Sequence, residues 1–213
     1  MENNIINKLL EKNKFCFNDL RIIMEILRSP NGCPWDKEQT HKSIRNNFLE
    51  ETYEAAEAID NSDPDLLREE LGDVLLQVVF HARISEEAGE FSVDEVINDI
   101  CMKLIERHPH IFGDTKVNGS EQVVVNWEAI KQEKKGRETI REKLEGVSKA
   151  LPSLMRAGKL VKKSGYEATD INIDSNEKEI GKALFQLAAF AENHKINAEE
   201  ALFKECEDYI EKF

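Results

Sequence analysis

The sequence predicts an all-α protein. Three observations carry that prediction. Apolar residues recur every three to four positions through most of the chain, capping residues stand where those stretches begin, and no stretch alternates apolar and polar residues as a half-buried strand would.

The first predicted helix covers 18–28, where Leu20, Ile23, Met24 and Leu27 share a face and Asn18 is a cap. A loop rich in turn formers follows, Ser29-Pro30-Asn31-Gly32-Cys33-Pro34-Trp35-Asp36, with Trp35 as its one aromatic. A long helix is expected from about Thr40 to Asp60. Asn61-Ser62-Asp63-Pro64-Asp65 then reads as a turn, Asp63 capping the next helix and Pro64 taking its first position. That next helix runs to about Glu87, with Leu67, Leu71, Val74, Leu75, Val78 and Val79 as a broad apolar stripe, and Gly89 ends it. Ser92 and Glu95 form a capping box that opens a helix through Val96, Ile97, Ile100, Leu104 and Ile105. His108-Pro109-His110 breaks it. Residues 121–135 form another helix around Val124, Trp127 and Ile130, and helices are expected again over 149–163 and 176–213. The domain reading is a first helical unit over 1–135, a charged connector over 136–148 and a second helical unit over 149–213.

A chain of 213 residues can bury a sizeable core. With a third of its residues charged and a net charge of -13, it is a poor candidate for wrapping nucleic acid or coating an anionic membrane. No apolar run approaches a membrane span, and the first residues lack the apolar core of a signal peptide. Cys16, Cys33, Cys101 and Cys206 show neither a Cys-x-x-Cys pair nor zinc spacing, so reduced thiols in the cytoplasm are expected.

The chemistry concentrates around the turn at Ser62. Glu51 and Glu54 are spaced i, i+3, and so are Glu70 and Asp73, so each pair projects from one helix face. Counted from Ser62, Glu54 and Glu70 are equally distant, and so are Glu51 and Asp73. An antiparallel hairpin folded there brings four carboxylates together. Such charges repel and raise one another's pKa, a cost that a divalent cation removes. Oxygen-only donors suit hard Mg²⁺, with Mn²⁺ as the alternative. Lys103 and Arg107, spaced i, i+4, put two cations on one face, which beside a carboxylate-held metal suits a polyphosphate. A di-iron carboxylate bundle needs two Glu-x-x-His motifs, and only Glu38 to His41 has that spacing.

The chain also repeats itself. Arg68 to Ala82 parallels Glu177 to Ala191, with Glu70, Gly72, Leu75, Gln77 and Ala82 recurring as Glu179, Gly181, Leu184, Gln186 and Ala191. After a four-residue gap, Phe91 to Arg107 continues against Ile196 to Lys212. In the second copy Lys182 stands where Asp73 does, and Leu160 and Lys163 stand where Glu51 and Glu54 do. The second unit is therefore read as a degenerate copy kept for packing or dimerisation.

Taken in order, Asn31-Gly32-Cys33-Pro34-Trp35-Asp36, Glu50-Glu51-x-x-Glu54, Glu70-x-x-Asp73, Arg107-His108-Pro109-His110 and Trp127-Glu128-Ala129-Ile130-Lys131 resemble the MazG family of nucleoside triphosphate pyrophosphohydrolases. The resemblance runs through nearly the whole chain, tandem arrangement included. It implies an all-α enzyme that hydrolyses a nucleoside triphosphate to the monophosphate and pyrophosphate with Mg²⁺. It implies Glu51, Glu54, Glu70 and Asp73 as metal ligands and Glu50 beside them as the group that orients or deprotonates water. It further implies Lys103 and Arg107 on the triphosphate and Trp127 near the nucleotide; Trp35, the loop aromatic, is read from the sequence itself as a second surface on which a base could stack. A homodimer is expected, since helical hairpins with one acidic face need more apolar cover than one short chain offers. The competing reading is a nucleotide-binding regulator with little turnover, prompted by the degenerate second unit.

Overall fold

In the structure, a computed structural model that describes residues 2–135, 139–165, 176–202 and 204, every regular element among the described residues is an α-helix. The described residues group into two units, Met1–Asn118 and Gly119–Phe213.

The first unit opens with α1 (Glu2–Leu10), α2 (Phe17–Arg28) and α3 (Pro34–Glu38). It continues with α4 (Arg45–Asp60), α5 (Pro64–Glu87), α6 (Val93–Arg107) and α7 (Pro109–Phe112). Helix α5 is its centre, packed against α4, α2 and α6. The reason lies in its two apolar edges. Val79, Phe80 and Ala82 are buried with Met24 of α2, Val93 of α6 and Ile44 just before α4, and Leu20, Leu27, Leu76 and Ile84 pack around them. Each fully buried large side chain in this cluster contributes about 1.5–3 kcal/mol.

The α4–α5 hairpin forms where the sequence placed it. Ser62 takes a left-handed conformation at φ 55°. Its N–H bonds the Ile59 carbonyl at 3.0 Å and that of Asp63 bonds the Ala58 carbonyl at 3.0 Å, which closes the end of α4. The Asp63 carboxylate then accepts from the N–H groups of Asp65 and Leu66 at 3.1 and 3.0 Å, opening α5 behind Pro64. Gly89, at φ 72°, ends α5. Ser92 and Glu95 close the predicted capping box of α6.

Several expectations need correction. The cap of α2 is Cys16, not Asn18, because the Asp19 carboxylate reaches back to the Cys16 N–H at 2.9 Å. The loop after α2 contains a short helix, α3. The following helix starts at Arg45 rather than Thr40, because Thr40 and Ser43 exchange side chain–backbone bonds of 2.9 and 3.2 Å and hold a turn there. Helix α1 had no counterpart in the reading.

The second unit contains α8 (Ser120–Lys135), α9 (Ile140–Glu145), α10 (Ser153–Ser164) and α11 (Glu177–Asn193). Helix α8, expected with the first unit, groups here. The connector is partly helical: Thr139 and Glu142 form a capping box that starts α9 inside it. Helices α10 and α11 pack as a pair, with α9 on α10. The last predicted helix is not continuous. Lys195, at φ 59°, ends α11, and helical backbone resumes at 198–202. The expected helix and repeat beyond 204, the connector residues 136–138 and Cys206 lie outside the described residues.

The repeat reappears in burial. Leu71 and Ile180 are 53% and 47% exposed, Leu75 and Leu184 are 41% and 48%, and Val79 and Ala188 are both buried, so α5 and α11 turn the same face inward. None of the helices is long and apolar enough to cross a membrane among the described residues. Cys16, Cys33 and Cys101 are free thiols.

Candidate metal centre

Helix α4 presents Glu51 and Glu54 one turn apart, and α5 presents Glu70 and Asp73 the same way. Because the hairpin turns at Ser62, the two pairs meet. Carboxylate oxygens of Glu51, Glu70 and Asp73 lie within 4.8 Å of one another. Glu54, one turn along α4 from Glu51, is exposed at their edge and adds its negative charge to both Glu51 and Glu70.

The electrostatics follow from the crowding. Burial raises the Glu51 carboxyl above its usual range, and Asp73, Glu54 and Glu70 push it further. Burial also raises Glu70, which is only 9% exposed, and Glu54, Asp73 and Glu69 add to it. The charged groups that act on Glu51 and Glu70 are all acids, and the donor set is oxygen only. That combination fits a hard divalent cation.

The remaining expected residues fall around this cluster in different ways. Glu50 is on α4, exposed and outside the triad. Lys103 is exposed and Arg107 half-buried on α6, the helix that packs against α5. Trp35 is exposed on α3. Trp127, half-buried on α8, belongs to the second unit, so its expected place near the nucleotide is carried by the resemblance alone. The Glu38–His41 spacing does not make an iron ligand pair: His41 bonds His81 of α5 instead, Nδ1 to Nδ1 at 2.7 Å. The sequence reading did not single out His81, because nothing in its local pattern connects it to a loop forty residues away.

In the second unit the matching pair is neutralised. Lys182 donates to Glu179 at 2.8 Å, an ion pair where α5 has two repelling acids. Among the described residues of that unit, the Glu70–Asp73 chemistry has no counterpart.

Comparison with known proteins gives the family. The model of the MazG nucleotide pyrophosphohydrolase domain matches residues 39–112, which hold α4, α5 and α6 and with them all four acids, Lys103 and Arg107. A Thermotoga maritima protein named nucleoside triphosphate pyrophosphohydrolase/pyrophosphatase MazG is 36% identical over 218 residues, covering 92% of this chain and 84% of that protein. The chain belongs to the MazG family. An Escherichia coli protein named nucleoside triphosphate pyrophosphohydrolase is 38% identical over 221 residues, covering 91% of this chain and 84% of that one. The Bacillus subtilis protein named uncharacterized protein YabN is 50% identical over 146 residues, which span 68% of this chain and 30% of YabN. Trp35 and Trp127 lie outside the matched MazG domain.

Proposed function

We propose that this MazG-family chain is a divalent-metal-dependent nucleoside triphosphate pyrophosphohydrolase, releasing the monophosphate and pyrophosphate. The observation that carries the reading is the convergence of Glu51, Glu70 and Asp73 from two helices onto one point, their oxygens within 4.8 Å of one another. The printed activity of the Thermotoga and Escherichia relatives supports it.

In this reading Glu51, Glu70 and Asp73 hold the cation, with Glu54 at their edge as a fourth carboxylate. Mg²⁺ is the expected ion and Mn²⁺ the alternative. When bound, the ion supplies positive charge against the polyphosphate and lowers the pKa of water for attack on phosphorus. Glu50, free of the cluster, accepts the proton that water loses. Lys103 and Arg107 set two positive charges on one face of α6 and orient the phosphate chain. Trp35 offers an exposed stacking surface for the base.

The first unit leaves apolar residues uncovered on α4, α5 and α6: Leu49, Tyr53, Leu71, Leu75, Ile97 and Ile100 are all exposed. A homodimer that buries this surface is the assembly that fits it, and a cytoplasmic enzyme with reduced thiols is the setting.

The test is a panel of nucleoside triphosphates incubated with Mg²⁺, with product identification. Monophosphate and pyrophosphate in equal amounts, abolished by EDTA, support the reading. Orthophosphate as the product overturns it, and binding without turnover supports the nucleotide-binding regulator instead.

A further inference from the structure

The end of the hairpin away from Ser62 carries a second polar device, level with the buried cluster of Ile44, Val79, Phe80 and Ala82. His41, in the loop before α4, and His81, on α5, are parallel within 1°, with ring centroids 5.1 Å apart and their Nδ1 atoms 2.7 Å apart. Those distances allow one arrangement: the rings meet end to end along the nitrogen–nitrogen line, sharing a single hydrogen. His41 Nε2 lies 3.2 Å from Ser85 Oγ, and Ser85, itself 1% exposed, donates its only hydroxyl hydrogen to Glu90 at 3.1 Å. The Nε2 hydrogen therefore sits on His41, whose Nδ1 accepts from His81. The bonds run in one direction, from His81 to His41 to Ser85 to Glu90.

This chain of bonds ties the start of α4 to α5. His81 also touches Phe48 in the first turn of α4, with centroids 5.7 Å apart. Buried Ile44 lies between His41 and α4. A second tie works beside it: the Arg28 guanidinium bonds Glu87 of α5 at 2.8 Å and the backbone carbonyls of Asp36 and Gln39. Glu51 and Glu54 follow on α4 within three turns, so the register of α4 on α5 decides whether they face Glu70 and Asp73.

We propose that the His41–His81 bond is the clamp that fixes α4 against α5, and that both histidines are positioning residues for the carboxylate cluster. The proposal rests on the metal-centre reading for its effect on binding, but the clamp itself is testable without metal. It is closed while at least one ring is neutral, since a proton added at His81 Nε2 leaves the Nδ1–H donor in place. Once both rings are charged, two N–H groups point at each other across 2.7 Å, so the bond opens in acid at the point where both histidines are protonated. Among the neighbouring charges, Glu87 is engaged by Arg28 and Arg83, and Glu90 by Ser85. Burial and His41 are what act on His81, and both hold its protonation below the ordinary histidine range.

Two substitutions separate positioning from packing. His81→Leu keeps an apolar neighbour for Phe48 and removes the bond. His81→Asn places an amide near the Nδ1 position, and by flipping it can donate to neutral His41 or accept from the protonated ring. Amide hydrogen exchange of Leu49 to Glu54 in EDTA reads the clamp, and calorimetric titration with Mn²⁺ reads the cluster. In His81→Leu, protection and Mn²⁺ affinity both fall about tenfold, the scale of losing a residue that orients a ligand, while His81→Asn keeps both near wild type. Lowering the pH to about 5, below the ordinary histidine pKa, reduces protection in the wild type but not in His81→Asn. Unchanged protection in His81→Leu overturns the clamp, and so does an Asn variant as damaged as the Leu one. A wild type that binds no Mn²⁺ removes the metal reading instead, and the clamp then stands or falls on the protection factors.

Discussion

Glu70 is a buried acid surrounded by other acids, and that arrangement has a sign. Its pKa and that of Glu51 are raised in the folded protein, above the ordinary value of 4.5. A raised folded pKa contributes stability below the unfolded value that is lost as pH rises through the folded one. The metal-free protein is thus penalised at neutral pH by its own site. Glu70→Gln carries no such charge. In EDTA at pH 7 its melting temperature should exceed that of the wild type, with the difference shrinking as the pH is lowered toward 4.5. Added Mg²⁺ should reverse the order, raising the wild type alone. Asp19 behaves oppositely: the Lys12 ammonium and the Cys16 N–H hold its carboxyl down at about 2. Its contribution is present above the ordinary aspartate range and disappears only below it, outside the window in which Glu70 titrates. Melting curves of wild type and Glu70→Gln across pH 4–7 therefore read Glu70 without Asp19.

Among the elements, the hairpin was the most legible part of the sequence. Asp63 and Pro64 declare the start of α5, Gly89 its end, and equal spacing from Ser62 brings the acids together. What stayed hidden turns on short-range side-chain bonds that compete with helix and on one contact distant in sequence. The start of α4 is fixed by Thr40 and Ser43 bonding each other, and the cap of α2 by Asp19 reaching back to Cys16; local propensity does not decide between such bonds and another turn of helix. His81 acquires its partner only once α5 lies beside the loop. Trp127 illustrates the same limit, since its motif can be read but not the unit it packs in. Two positions test the element-level account. Ser62 sits at φ 55°, so Ser62→Gly should stabilise the protein by up to about 1 kcal/mol in urea unfolding, strain relief slightly outweighing the added chain entropy. Gly32 lies against the end of α2, where a Cβ would come within 2.2 Å of the Leu27 carbonyl oxygen. Gly32→Ala should destabilise by several kcal/mol, or displace the loop that carries Trp35, and urea unfolding with Trp fluorescence distinguishes the two.

At the level of the whole molecule, the two units show one helix pattern used twice with different chemistry. Helices α5 and α11 bury matching faces, yet Glu70 and Asp73 repel where Glu179 and Lys182 attract. Catalysis is therefore assigned to the first unit. Lys182→Asp should not create a second metal site, because Leu160 and Lys163 supply no acids opposite it, and the Mn²⁺ stoichiometry should stay unchanged by calorimetry. Phe80→Ala, in the core of the first unit, should cost about 3–5 kcal/mol. The most direct test of the account is pyrophosphate release by wild type and Asp73→Asn across a Mg²⁺ series, with circular dichroism confirming the helices of both. The account predicts that the variant loses activity by about a hundredfold or more, as loss of roughly 3 kcal/mol of transition-state stabilisation would give, while remaining folded. Release that persists in EDTA, or that Asp73→Asn leaves intact, would contradict it.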